Sequence, residues 1–538
     1  MAGSKLKPSR AQLFLAVITV AALAPFLHKA FGIDDPLFLW MAEQIARHPF
    51  DPYGFEVNWG GSLQPMWIPM QNPPLGSYYI AAVVAAAGWG ETALHTAFLL
   101  PAVAAILGTH ALARRFCPDA QTAALLTLFT PVFLVSATNV MCDVMLVAFW
   151  VWSIECWLKG LERREWWPFA TAAFLAAGAV LTKYFGISVV PLLFAYTIAR
   201  ERRLRLHLFC LLIPVGATLG YELWTQSVYG HGLFGNAMIY LRDVGATVKT
   251  PFSIRLLTGC SFVGGCLISS VCFFRVRRLR NAIWTSAVLA VGFLSFWSLI
   301  STSALSPGNA LAVRFEGGIF AAVGAVIVTL ALLDFYRARD AESLLLSLWI
   351  LGTLGFSAFL NWSITARTIL PAAPAVAILV MRHVGRQAPG FARANYWRLG
   401  GAAAISMLVA FADYRQAGIG RSAARHFRQR FHALEGKVSF QSHWGFQWYM
   451  QRWGATPVAR EQAFSPGNVV VIPSDNADPI ALSREAVASV GKLRLPLAPM
   501  LSTFAPGTGA GFYSSVRGPV PWMIGRVAPV EWEAVMFR

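Results

Sequence analysis

The sequence predicts a polytopic all-α membrane protein of about thirteen transmembrane helices, with a small extracytoplasmic α/β domain at its C-terminal end. Three observations predict it. Hydrophobic residues make up 56% of the chain and charged residues only 13%, where a soluble domain carries roughly 25% charged. The apolar residues gather in long uncharged runs, mean hydropathy is +0.54, and a run of about 18 residues or more suffices to span a bilayer. The basic residues behind the net charge of +18 fall in short clusters between those runs, as in cytoplasmic loops, which excludes a nucleic-acid-binding face.

Those clusters serve as a ruler for threading the chain. Lys5, Lys7 and Arg10 precede the first run, which reads as an uncleaved span at 11–30 leading outward. Residues 31–91 then form an external loop, too polar for lipid, containing Asp34, Asp35, Glu43, Arg47, Asp51 and Glu56. Within it, Pro73-Pro74 suits the first turn of a juxtamembrane helix over 74–88. Further spans are expected at 92–113, 119–137 and 144–158. The stretch 167–199 has basic clusters at both ends and so requires two crossings, with Lys183 at the outer turn. Spans at 207–226, 252–274, 282–302, 311–334, 343–361, 367–381 and 397–412 complete the set. All short loops bearing a basic cluster then lie on one side.

From about 415 the composition changes. The segment 421–436 reads as a basic amphipathic helix at the membrane surface, and VVVIPS at 469–474 as a strand ending in a turn. The expected division is a membrane module over 1–414 and an extracytoplasmic domain over 415–538. The seven cysteines lie in or beside apolar runs, without metal-type spacing, and read as packing residues.

Charges at span ends are costly and need a reason. Asp34 and Asp35 follow the first span; one of them could cap the next helix, but capping does not account for both. Adjacent carboxylates repel, so one is expected to hold its proton more tightly, as a general base does. Asp143 opens the fourth span, where it could simply start a helix. Lys183 could be a snorkelling lysine, and Arg367 at the outer end of the twelfth span could pair with a carbonyl or a headgroup. Arg314 and Glu316 could pair with each other, His95 reads as a satisfied interior histidine, and Asn361-Trp362-Ser363 as a chance glycosylation pattern. Together, two acidic sites and two cations on the outer face suit transfer of a group from an anionic phosphate to a hydroxyl. A carboxylate would take the hydroxyl proton, and fixed cations would stabilise the departing phosphate.

The order of these segments resembles the GT-C superfamily of glycosyltransferases. The likeness is to the family 39-like branch of the protein O-mannosyltransferases and the aminoarabinose transferase of lipid A. It is carried by IDDPLFLWMAEQI, NPPLGSYYIAA, SATNVMCDVMLVAFW, LTKYFGISVVPLL and ITARTILPAAPAVAIL, spread in order over about 11–400. The resemblance implies Asp34 as catalytic base and Asp143 as the second catalytic carboxylate, positioning the acceptor or the base. It implies Lys183 and Arg367 at the donor phosphate, with Asp35 and Tyr184 in the substrate-binding set; Asp35 stands where the family usually has glutamate. It implies an inverting transfer from a polyprenyl-phosphate sugar donor to a lipid, glycan or protein hydroxyl. No cofactor is implied. A metal is not expected in this branch, although the oligosaccharyltransferase branch uses one and Asp34 with Asp143 could ligate it. HWGFQWYMQ, with His443, is similar to a segment near the start of such C-terminal domains, or is simple aromatic packing. The expected setting is a bacterial inner membrane, multi-pass, with the site and the C-terminal domain on the periplasmic side, among membrane lipids. The rival readings are a transporter or flippase of lipid-linked sugars, and a scaffold relative without activity.

Overall fold

The computed structural model describes all residues except 1–8, 248–249, 274–278, 304, 388–395, 435, 477 and 484. Lys5 and Lys7, used above as topological markers, lie outside the described residues, as do Arg275, Arg277 and Arg278 of the basic cluster after the expected span at 252–274. The fold is mostly helical, with a small sheet near the C-terminus. A helix or helix pair occupies each of the expected spans. Six among the described residues are long and apolar enough to cross a membrane unaided: Glu91–Phe116, Asp143–Arg163, Leu206–Tyr229, Gly308–Ala338, Ala341–Leu360 and Ala366–Gln387. A seventh arises if Ala120–Leu128 and Pro131–Ala137, bent by 62° at their break, form one span. Pro131 opens the second of these helices and Thr130 caps it, so the bend follows from a proline where a new helix starts. Five apolar helices, including Arg10–Phe26 and Trp166–Thr182, are shorter.

The segment 31–91, expected to be external, packs against the helices. It contains a helix at Asp35–Arg47, an antiparallel hairpin of Glu56–Asn58 with Leu63–Pro65, and a helix at Leu75–Ala87. The hairpin was not anticipated; its turn carries Gly60 and Gly61, both at positive φ, a conformation that suits glycine. The proline-started helix lies where expected.

The composition change near 415 falls inside a helix. One helix runs from Trp397 to Arg430, so the segment read as a separate surface helix is instead the continuation of the last span. Its far end buries Ala423 and Phe427 in the core of the C-terminal domain with Phe440, Phe446, Val471 and Trp532. That domain holds a five-stranded mixed sheet in the order Thr456–Pro457, Val438–Phe440, Val469–Pro473, Val530–Phe537, Val487–Leu495. The first three strands are mutually parallel and the last two pair antiparallel. The strand predicted from VVVIPS is central. Residues 496–529, between the last two strands in sequence, leave the sheet and return to the membrane helices. The backbone carbonyl of Phe512 accepts from Ala366 N at 2.8 Å, and Trp522 donates to the carbonyl of Gly265 at 2.8 Å.

Candidate active site

Four side chains from four distant parts of the chain form one charged row. Arg367 donates to Asp34 at 2.6 Å and lies 4.0 Å from Asp143. Lys183 donates to Asp143 at 2.6 Å. All four are largely buried, from 4% exposed at Asp143 to 26% at Asp34. Buried charges must be paired to be tolerated, and two carboxylates against two cations satisfy this within the row.

Local sequence explains each placement. Asp34 stands at the start of the Asp35–Arg47 helix, with Pro36 in its first turn, but makes no capping bond; its carboxylate goes to Arg367 instead. Asp143 begins the Asp143–Arg163 helix, also without capping. The capping reading therefore fails for Asp34, while Asp143 does start a helix, with its carboxylate turned to Lys183. Lys183 ends the Trp166–Thr182 helix in an extended conformation, after which the chain makes a tight 3-10 turn. Gly186 permits that turn, because a Cβ there would fall 2.4 Å from the carbonyl carbon of Ala179. Arg367 sits in a one-turn helix, Ala366–Ile369, capped by Thr365. The C-terminal domain pins this turn through Phe512, and the Tyr513 ring centre lies 5.7 Å from the guanidinium.

Asp35 is a different kind of residue from Asp34. It is fully buried, and its two oxygens accept from Gly32 N at 2.8 Å and Val140 N at 2.9 Å. Burial pushes its carboxyl up to about 7; repulsion from Asp34 is the smallest of the causes. The proton-holding carboxyl of the pair is thus the inner one, held by burial, and Asp35 ties the first loop to the 139–141 turn. Ile33, just before the pair, has φ +42°, strained for a β-branched residue.

Tyr184 follows Lys183 and belongs to a chain of tyrosine hydroxyls. Its hydroxyl lies 3.4 Å from that of Tyr221, which lies 3.1 Å from that of Tyr53. Both ring nitrogens of His95 face backbone carbonyls, Glu91 at 2.8 Å and Thr138 at 3.1 Å, one of which accepts its N–H, in line with its interior reading. Arg314 and Glu316 do not pair as expected. Glu316 accepts from Ile524 N at 3.0 Å, and Arg314 lies over the Trp297 ring, because the returning C-terminal segment supplies a partner that local sequence does not reveal.

Beside the row is a polar hub absent from the sequence reading. Lys29, 1% exposed, donates to Asp413 at 2.5 Å, Asn139 at 2.5 Å and Thr138 at 3.1 Å. Asp413 also accepts from Thr503 at 2.9 Å and Tyr513 at 3.0 Å. The hub locks the first span, the 138–139 turn, the last long helix and the C-terminal domain together, one ring away from Arg367. The only sequence signal was a lone charge near the end of each of two spans.

Two donor groups in the row are not fully used by the protein. The Nε of Arg367 is buried without a hydrogen-bond partner among the described residues, and Lys183 carries three protons, one of which goes to Asp143. Both suit phosphate oxygens. Arg367 bonds to Asp34 and approaches Asp143, and among the described residues no group of three His, Cys, Asp or Glu converges on one point.

Residues 71–219 match the dolichyl-phosphate-mannose-protein mannosyltransferase family. Comparison by sequence with curated proteins gave no match. Among solved structures, the chain is similar to the Archaeoglobus fulgidus oligosaccharyltransferase tethered with an acceptor peptide. The identity is 14% and the TM-score 0.47, over 83% of this chain and 64% of that one. It is also similar to ArnT from Cupriavidus metallidurans bound to undecaprenyl phosphate, at 14% identity and TM-score 0.46, over 86% and 93%. A third is the mycobacterial arabinofuranosyltransferase AftD, at 13% identity and TM-score 0.44, over 99% and 40%. The chain thus spans less than two thirds of the oligosaccharyltransferase. Residues 71–219, which carry Asp143, Lys183 and Tyr184, are thus similar to the dolichyl-phosphate-mannose-protein mannosyltransferase family.

Proposed function

We propose that the protein transfers a sugar from a polyprenyl-phosphate carrier to an acceptor hydroxyl on the extracytoplasmic side of a bacterial inner membrane, with inversion at the sugar carbon. The single observation that carries this reading is the Asp34–Arg367–Asp143–Lys183 row, in which a candidate base shares a cation with a candidate phosphate site. The matched family's description, naming a dolichyl-phosphate sugar, supports the donor class.

The donor is a phosphodiester with one negative charge. It competes for Arg367 and Lys183 with the carboxylates that now hold them, so its arrival frees Asp34 to accept a proton. The acceptor oxygen then attacks the sugar carbon. The bond from that carbon to the phosphate oxygen breaks, its electron pair stays on the phosphate, and the acceptor proton passes to Asp34. The phosphate gains a second negative charge, which Arg367 and Lys183 stabilise more strongly than the first. That difference is what accelerates the step. Asp143 holds Lys183 in place, and Asp35 fixes the loop from which Asp34 projects. In this reading the membrane module is residues 1–414, the extracytoplasmic domain is 415–538, and the active site lies at their junction.

A transporter or flippase would carry its charges along a path near mid-membrane; here they collect at span ends around one point. The test is an Asp34→Asn variant, purified and supplied with radiolabelled polyprenyl-phosphate sugars and an envelope extract as acceptor. Transfer should fall by about 10²-fold or more, while binding of undecaprenyl phosphate persists. Undiminished transfer would remove Asp34 from the mechanism.

A further inference from the structure

The row uses neither His443 nor the aromatic segment around it, yet the backbone there is strained. Ser442 has φ +139° and Trp444 φ +63°, values that non-glycine residues adopt at a cost and that cluster at functional sites. At Gly445 a Cβ would meet the Phe31 carbonyl oxygen at 1.9 Å. The 442–445 turn is therefore wedged against the 31–33 segment, whose Ile33 is itself strained. Between them lies a cavity of about 70 Å³, partly open to the outside. The Lys29–Asp413–Tyr513 hub lines one side of it, Gly32 and Ile33, the two residues before Asp34, form part of its wall, and His443, also in the lining, feels the Asp34 charge.

The rest of the lining combines aromatic faces with hydrogen-bonding groups. Trp444 and Phe504 meet edge to face at 5.5 Å, and the Arg517 guanidinium lies 5.5 and 5.6 Å from their ring centres. Arg517 Nη2 is buried with no hydrogen-bond partner among the described residues. Asp475 and His443 complete the wall; burial holds the His443 imidazole below its ordinary value, so it is neutral and can both donate and accept. An acyl chain would leave these polar groups desolvated and unpaired, which is costly. A sugar ring meets both demands: its C–H face stacks on an aromatic ring, while its hydroxyls pair with a guanidinium and a carboxylate. A site built around such hydroxyls also rejects ligands that lack them.

We propose that this cavity is the acceptor site and that it takes a sugar ring, stacked on Trp444 and hydrogen-bonded through its hydroxyls to Arg517 and Asp475, with one hydroxyl presented to Asp34. The acceptor is accordingly a glycan, and the product a new glycosidic bond plus polyprenyl phosphate. This rests on the glycosyltransferase reading above but is tested apart from it.

The experiment uses the full chain in nanodiscs and records saturation-transfer NMR. The probes are methyl glycosides of mannose, galactose, N-acetylglucosamine and arabinose, with a threonine-containing pentapeptide as the other acceptor class. Binding of undecaprenyl phosphate is measured on the same samples. At least one methyl glycoside should bind, with affinity about tenfold or more weaker in Trp444→Ala and in Arg517→Gln and with undecaprenyl phosphate binding unchanged. The second variant and the lipid measurement guard against a simple folding defect. If no glycoside binds the wild type, if both variants bind as the wild type does, or if only the peptide binds, the proposal is overturned. If glycosides bind as predicted but undecaprenyl phosphate does not, the donor reading falls and the cavity assignment stands.

Discussion

Replacing Lys29 with methionine removes a buried charge while keeping most of the side chain's volume. All three ammonium protons of Lys29 are engaged, on Thr138, Asn139 and Asp413, in a place that is 1% exposed to solvent. Among the described residues, the substitution leaves the Asp413 carboxylate with only the hydroxyls of Thr503 and Tyr513 as side-chain partners. Removing one partner of a buried ion pair costs about 3–5 kcal/mol, because the remaining charge is left uncompensated. Asp413→Asn should be similarly damaging, since it strands the ammonium. The Lys29→Met/Asp413→Asn double variant removes both charges at once. It should be more stable than the sum of the single effects predicts, by roughly 2–3 kcal/mol. The assay is reversible unfolding in mixed micelles, followed by tryptophan fluorescence, over the full double-mutant cycle. Single-variant costs below about 1 kcal/mol, or costs that add within about 0.5 kcal/mol, would refute the claim that this pair locks the C-terminal domain to the first span.

Arg367→Lys keeps the charge but loses the planar fork that reaches Asp34 and, through Nε, a phosphate oxygen. Undecaprenyl phosphate should bind about 10- to 100-fold more weakly, as measured by competition with a fluorescent analogue. Asp35 adds a pH dependence. Its folded-state carboxyl titrates near 7 against an ordinary value of 3.8, so its contribution is full below about pH 4 and is lost as pH rises through 7. Between those limits the wild type should lose stability relative to Asp35→Asn by up to about 1.4 kcal/mol per pH unit. A parallel pair of unfolding curves over pH 4–8 would contradict this.

The four members of the row were legible because each is a charge at the end of an apolar run, where burial demands a partner. What the sequence could not supply was who pairs with whom: Asp34 and Arg367 are 333 residues apart. Lys29 and Asp413 were illegible for a related reason. Each looks like an ordinary charge at a span end, and their partnership depends on two helices and a domain loop meeting across 384 residues. Asp35 was grouped with Asp34 because adjacent carboxylates look alike in sequence, and only the backbone amides of Gly32 and Val140 separate an inner carboxyl from an outer one. The helix that runs through to Arg430 was missed because the arginines at 421, 425, 428 and 430 resemble a membrane-surface helix. In the fold they flank a buried stripe of Ala423, Ala424 and Phe427. The helix-per-run pattern was legible throughout, whereas membrane crossing rests on length, and several helices here, such as Trp166–Thr182, are short.

A structure of the protein with undecaprenyl phosphate bound tests the central claim most directly. The account predicts the phosphate within hydrogen-bonding distance of Arg367 Nε and the Lys183 ammonium, with Asp34 released from Arg367. A phosphate bound away from both cations, with the Asp34–Arg367 pair intact, would contradict it.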